Sequence, residues 1–210
     1  LPAANLGSLD LSEYDLLIMA DGGYSLDEGA AGRLSQWISK GGRLIAIGSA
    51  LYALQGKSAF ALTRYESKDA ESKAERDAEK AELEARLFNF GDQERRAISG
   101  DIPGAVFKVK MDITHPLAFG MGEHYFSLKT GSGSFPWLKG AWNVGTLDDK
   151  PTYYGFVGQY AQAQVKNSVV FAVEDKGRGA VIYMVDNPLF RGFWENGKLL
   201  FSNAVFFAGK

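Results

Sequence analysis

The chain has 210 residues, 46% hydrophobic and 13% aromatic, with a formal net charge of −2, no cysteine and two histidines. That length and apolar content suit one large domain with a full core and exclude wholesale disorder. The charge argues against non-specific binding to nucleic acid or anionic membrane, and the lack of cysteine excludes disulfides, thiolate metal sites and cysteine catalysis.

The first element is a short apolar run, Asp15 to Ala20, ended by the turn Asp21-Gly22-Gly23. This reads as a buried strand. Ser25 is the expected N-cap of the next helix, with Glu28 completing a capping box. That helix places Ala31, Leu34, Trp37 and Ile38 on one face, and Gly41-Gly42 stops it. Leu44 to Ile47 is the next buried strand. Strand, helix and strand in this order make a βαβ unit and predict a parallel sheet.

The composition then changes. Ser67 to Arg86 consists almost wholly of Ala, Glu, Asp, Lys and Arg, and predicts a solvated charged helix over about 67–87. Its thin apolar edge ends in Leu83, Leu87, Phe88 and Phe90. The stretch from about 55 to 101 reads as an insertion within one domain spanning 1–210. Its charged helix is either a protruding element or a partner-binding one.

Ala105 to Met111 alternates and predicts a strand. Asp112 to Gly122 is a turn-rich loop. Tyr125 to Leu128 and Asn143 to Thr146 are short strands, joined by an ordered surface loop. Val169 to Val173 and Ala180 to Val185 form a hairpin across Lys176-Gly177-Arg178-Gly179. Gly197 to Ala208 is an apolar helix expected to be buried on most faces. No apolar run is long enough to span a bilayer. No signal peptide is visible, and the opening residues look like those of a fragment of a longer protein.

Ligands of parallel α/β sheets collect at the carboxyl ends of the strands. The turns Asp21-Gly22-Gly23 and Gly48-Ser49-Ala50 should therefore face one crevice. Asp186-Asn187, after the last strand, should border the same edge. Ser49 is the one nucleophile candidate at the second turn; otherwise it caps a helix. His115 either anchors its loop or serves as a ligand or base. With Glu123 and His124 it falls short of a metal-site pattern, so no metal is expected here. Arg191 either pairs with Asp186 or Glu195 or binds an anion. The aromatic residues Tyr125, Phe126, Trp137, Trp142, Tyr153, Tyr154, Phe156 and Tyr160 are packing residues, or a groove that stacks peptide or sugar.

The segments LLIMADGGY and AIGSALYAL resemble the class I glutamine-amidotransferase-like superfamily. That resemblance implies an α/β, flavodoxin-like three-layer sandwich with a mainly parallel sheet. The family's elbow reads A-I-C-A-G, so Gly48 falls on the cysteine and Ala50 on the following glycine. The catalytic histidine is also missing from the Asp186–Trp194 segment. The second half is similar to the C-terminal domain of secreted bacterial zinc carboxypeptidases. The segments that carry this are IPGAVFKVKMDITHPLAFGMGEHYFSLK, GAWNVG and GRGAVIYMVDNPLFRGFWENGKLLFSNAVFF. The resemblance implies a non-catalytic accessory or binding module with the peptidase domain of the same polypeptide as its partner. It also implies an extracellular or periplasmic parent. This domain would carry no cofactor, and zinc would sit in the parent's peptidase domain. Two alternatives stand beside it: a divergent hydrolase using Ser49 or a metal at His115, and a small-molecule sensor binding an anion near Gly22, Gly23, Ser49 and Arg191.

Overall fold

In the computed structural model the described residues are 10–62, 91 and 93–209. The charged helix expected over 67–87 and its apolar edge lie outside them. The described elements begin with β1 (Leu16–Met19), α1 (Glu28–Ser39), β2 (Arg43–Ile47), a 3-10 turn at Gly48–Ala50 and α2 (Leu51–Leu54). After the expected insertion begins, α3 (Gln93–Ser99) leads to β3 (Gly104–Met111), a 3-10 turn at Pro116–Ala118, and β4 (His124–Lys129). Then come β5 (Phe135–Pro136), β6 (Trp142–Leu147), β7 (Tyr153–Phe156) and α4 (Gln159–Gln164). The chain closes with β8 (Ser168–Lys176), β9 (Gly179–Met184), a 3-10 turn at Phe190–Gly192 and α5 (Glu195–Phe206).

The nine strands of the described residues join one sheet along the path β1-β2-β9-β8-β6-β3-β4, with β5 beside β8 and β7 beside β3. Only β1–β2 and β2–β9 pair in parallel. Every other pairing is antiparallel. The expectation of a mainly parallel, flavodoxin-like three-layer sandwich is therefore wrong: this is a mixed, curled sheet with few helices among the described residues. The reason is physical. A strand buried on both faces is a continuous apolar run whichever way its neighbour points. β9 is buried throughout, yet it runs parallel to β2 on one side and antiparallel to β8 on the other. β3, by contrast, alternates between buried and exposed positions, the pattern of a half-covered antiparallel strand.

Strand alternation sends successive side chains to opposite faces. Leu44 and Ala46 of β2 pack under α1 and α2 with Ala31, Leu34, Ile38, Leu51 and Leu54. Ile45 and Ile47 pack on the other face with Phe107, Phe171, Leu200 and Ala204. Burying a side chain such as Leu200 in full contributes about 1.5–3 kcal/mol. Asn203 ties α5 down: its amide donates to the carbonyls of Leu117 (3.0 Å) and Phe119 (2.8 Å). α5 buries only one stripe and leaves Leu199 and Phe206 exposed, so the expectation of burial on most faces does not hold.

The start of α1 also differs from expectation. Asp27, not Ser25, is the N-cap, and its carboxylate accepts the Ala30 N–H at 2.6 Å. An aspartate caps as well as a serine, and here it also supplies negative charge to the helix start. Gly42 ends the helix where a Cβ would collide with the Trp37 ring at 2.4 Å.

Candidate functional site

β2 ends in a sharp bend. Gly48 adopts φ +56°, in the left-handed region that costs little only for glycine. A Cβ built there would lie 2.6 Å from Cγ and 2.6 Å from Oδ1 of Asp21. The space above the bend is thus filled by a carboxylate from the turn after β1. Asp21 Oδ1 accepts the Ser49 backbone N–H at 2.9 Å. Ser49 therefore does not cap α2 with its hydroxyl; α2 begins after Ala50 with no side-chain cap.

Gly48→Ala is expected to cost about 1–3 kcal/mol, because it combines a left-handed alanine with overpacking. Asp21→Gly in the same chain should return part of that loss, since it removes the colliding atoms. Urea unfolding of the two single variants and the double variant measures the coupling.

Across the pocket stands β4. Tyr125, Ser127 and Lys129 are alternate residues of one strand and share its buried face. Lys129 Nζ sits 2.7 Å from Asp186 Oδ1, with 4% and 5% of the two side chains exposed. The same ammonium donates to the Gly133 carbonyl at 2.9 Å, and Ser127 Oγ donates to Asp186 Oδ2 at 2.7 Å. Burial, and behind it the negative charge of Asp186, push the Tyr125 phenol well above its usual range. Its hydroxyl is buried without a hydrogen-bond partner. The nearby Trp194 indole N–H is committed to the Phe126 carbonyl at 2.9 Å.

These groups frame a pocket of about 130 Å³ whose wall includes Asp21, Ser49, Tyr52, Lys129, Asp186 and Asn187. Four of the residues expected to share a crevice, Asp21, Ser49, Asp186 and Asn187, thus do so. Gly22 and Gly23 follow Asp21 in its turn but do not line the pocket. Lys129 and Ser127 were not singled out from the sequence. The signal was present: polar residues at alternate positions of a strand whose other neighbours are apolar.

His115 lies elsewhere. The pocket is at the ends of β2, β4 and β9, whereas His115 follows β3 and stacks near Trp142 (6.3 Å between ring centroids). Trp142 pairs with Val173 toward the far end of β8, beside the start of β9. His124, at the start of β4, pairs with Lys110, five residues before Lys129 on its own strand, and does not line the pocket. His115 caps the turn that follows it: Nδ1 accepts the Leu117 N–H at 3.0 Å. Burial lowers its pKa below 6.5, and Asp112 and Asp175 oppose that effect.

A depressed histidine pKa means that the unfolded state takes up the proton first. Stability supplied by neutral His115 is complete above 6.5 and is lost as the pH falls below it. His115→Asn keeps a capping acceptor but removes the titration. It should flatten the decline in melting temperature between pH 7 and pH 5. An unchanged slope would exclude His115 as its source.

Arg191 does not pair with either expected carboxylate. Asp186 is engaged by Lys129, and Glu195 pairs with Lys198 at 2.6 Å. Arg191 instead lies 5.1 Å over the Phe190 ring, in a turn where its own φ is +50°. Among the described residues no three His, Asp or Glu side chains form a group that could hold a metal ion. No helix among them is long and apolar enough to cross a membrane.

No family model matches the chain, and no curated protein matches it. Several solved structures show distant likeness, three of which follow. A cytoplasmic protein from Salmonella typhimurium is 13% identical over all of this chain and 80% of its own, with a TM-score of 0.49. A ThuA-like protein from Bacteroides uniformis is 14% identical over 93% of this chain and 69% of its own, at 0.47. A cold-adapted β-galactosidase from Rahnella sp. R3 is 17% identical over 94% of this chain but 23% of its own, at 0.44. Likenesses this remote assign neither a family nor a function.

Proposed function

We propose that this chain is a non-catalytic binding module whose ligand site is the pocket between Asp21, Ser49 and the Lys129–Asp186 pair. One observation carries the reading: the bend after β2 holds a glycine, and the volume where a nucleophile's side chain would stand is taken by Asp21. A hydroxyl or thiol nucleophile also needs a base within hydrogen-bond reach. Neither histidine lines this pocket. Ser49 remains at the bend, without such a partner from either of them.

We propose for the module the context that the resemblance of its second half to zinc carboxypeptidases implies. In that reading it belongs to an exported peptidase, extracellular or periplasmic, and its partner is the peptidase domain of the same polypeptide. The peptidase's His-x-x-Glu pair and later histidine would hold zinc in that other domain. Reading the gene upstream of Leu1 tests this: a zinc-peptidase domain is expected there, and an unrelated or absent domain would end the carboxypeptidase context.

The non-catalytic reading has its own test. A fluorophosphonate probe should label the wild-type chain no more than Ser49→Ala, and p-nitrophenyl acetate should hydrolyse at the same rate with either. Labelling that disappears in Ser49→Ala would establish a serine hydrolase instead.

A further inference from the structure

We propose that the pocket takes a neutral carbohydrate, with Tyr52 as the surface on which a sugar ring stacks. The inference rests on the binding-module reading and adds the chemical class of the ligand. Tyr52 projects from α2 with 53% of its surface exposed. It is braced by Phe135, whose ring centre is 5.7 Å away. Its hydroxyl reaches so close to Gly133 that a Cβ there would lie 2.5 Å from it. Tyr52 and Gly133 border two hollows at once: the pocket of about 130 Å³ and an adjoining open groove of about 630 Å³. An aromatic ring held between two connected hollows presents an apolar face to a chain of rings rather than to one small ion.

The polar groups fit the same ligand. Asp21 spends Oδ1 on Ser49, which leaves Oδ2 as an acceptor. Lys129 spends two of its three N–H donors on Asp186 and Gly133, which leaves one. Asn187 spends its oxygen on the Leu189 N–H, which leaves its amide donors. In the groove, Ser134 Oγ is buried without a partner among the described residues. The walls therefore offer both donors and acceptors. A sugar hydroxyl is both, so adjacent hydroxyls satisfy both kinds.

Other ligand classes fit worse. A phosphate or carboxylate would face Asp21, which has no cationic partner among the described residues, while the one buried cation is already neutralised by Asp186. An organic cation would face the spare Lys129 N–H and the Asn187 amide. An apolar ligand would leave all of these groups unpaired.

The 210-residue chain is tested by saturation-transfer NMR against maltotriose, cellotriose, xylotriose and chitotriose. Diaminopentane, inorganic phosphate and trialanine serve as counter-probes. At least one trisaccharide should receive saturation. Tyr52→Ala and Asp21→Asn should each weaken it at least tenfold, and His124→Ala, outside both hollows, should leave it unchanged. Both pocket variants are checked for native circular dichroism, and Asn keeps the acceptor for Ser49. Silence from all four sugars overturns the inference, as does sugar binding that both pocket variants leave intact. Binding of trialanine, diaminopentane or phosphate in place of the sugars overturns the carbohydrate class while the binding module stands. Cleavage of a bound trisaccharide would do the reverse.

Discussion

Lys129→Met should cost about 3–5 kcal/mol of folding stability, the expected penalty for breaking a buried ion pair from one side. Methionine fills much the same volume, so the loss is electrostatic. Asp186 would be left buried with only the Ser127 hydroxyl against it, and the Gly133 carbonyl would lose its donor. Small domains hold about 5–15 kcal/mol in total, so the variant would sit close to unfolding at ordinary temperature. The companion variant Lys129→Met/Asp186→Leu removes both charges and should recover most of the loss, because paired apolar replacements are often neutral. Urea titration reads both. A single-variant loss under about 1 kcal/mol, the usual limit for surface pairs, would show that water reaches this pair in solution.

Glu174→Ala should be the next most damaging change, at about 3 kcal/mol, because it strands several donors at once. Glu174 is 7% exposed. Its Oε2 accepts both the Tyr183 hydroxyl and the Ala61 backbone N–H, the latter at 2.9 Å, and its Oε1 accepts Lys176 Nζ at 2.9 Å. Tyr183 is fully buried, and burial together with the Glu174 charge raises its phenol well above the ordinary value. Without the carboxylate, that hydroxyl has lost its acceptor in an apolar setting. Tyr183→Phe removes the donor instead and should cost about 1 kcal/mol, the ordinary net worth of a hydrogen bond. Glu174→Gln should fall between the two, since one amide oxygen must serve three donors. Hydrogen exchange at Ala61 gives a second readout: its amide should exchange faster in Glu174→Ala than in Tyr183→Phe.

What could be read from the residues divides along physical lines. β1, α1 and β2 were legible because each is an apolar run or an amphipathic period bounded by glycines. β3, β4 and β6 were legible from short apolar or alternating runs. β5 and β7 were missed. The first is two residues long, and the second, Tyr153–Phe156, was taken only as part of an aromatic set. Strand direction was the larger failure. The β8–β9 hairpin was legible from its Lys176–Gly179 turn, but the direction of the remaining pairings is set by partners far apart in sequence. At the site, both glycine turns and Asp186-Asn187 could be foreseen from their positions after strands. The filling of the bend by Asp21 could not, because it depends on a side-chain rotamer across two strands. His115 misled because a histidine in a polar loop looks the same whichever end of a sheet the loop occupies.

The pairing of Arg43 with Ala180 has a consequence for how the protein is made. β9, the last strand to leave the ribosome, must slot between β2 and β8, two strands already synthesised. Until it arrives, β2 offers an open edge of unpaired amides and carbonyls to other chains. The growing polypeptide can prepare its amino-terminal half but cannot lock it. Completion depends on contacts of long sequence separation, which slow folding and prolong exposure to aggregation. Truncation before Gly179 should therefore release a sticky, chaperone-dependent product, not a smaller stable domain.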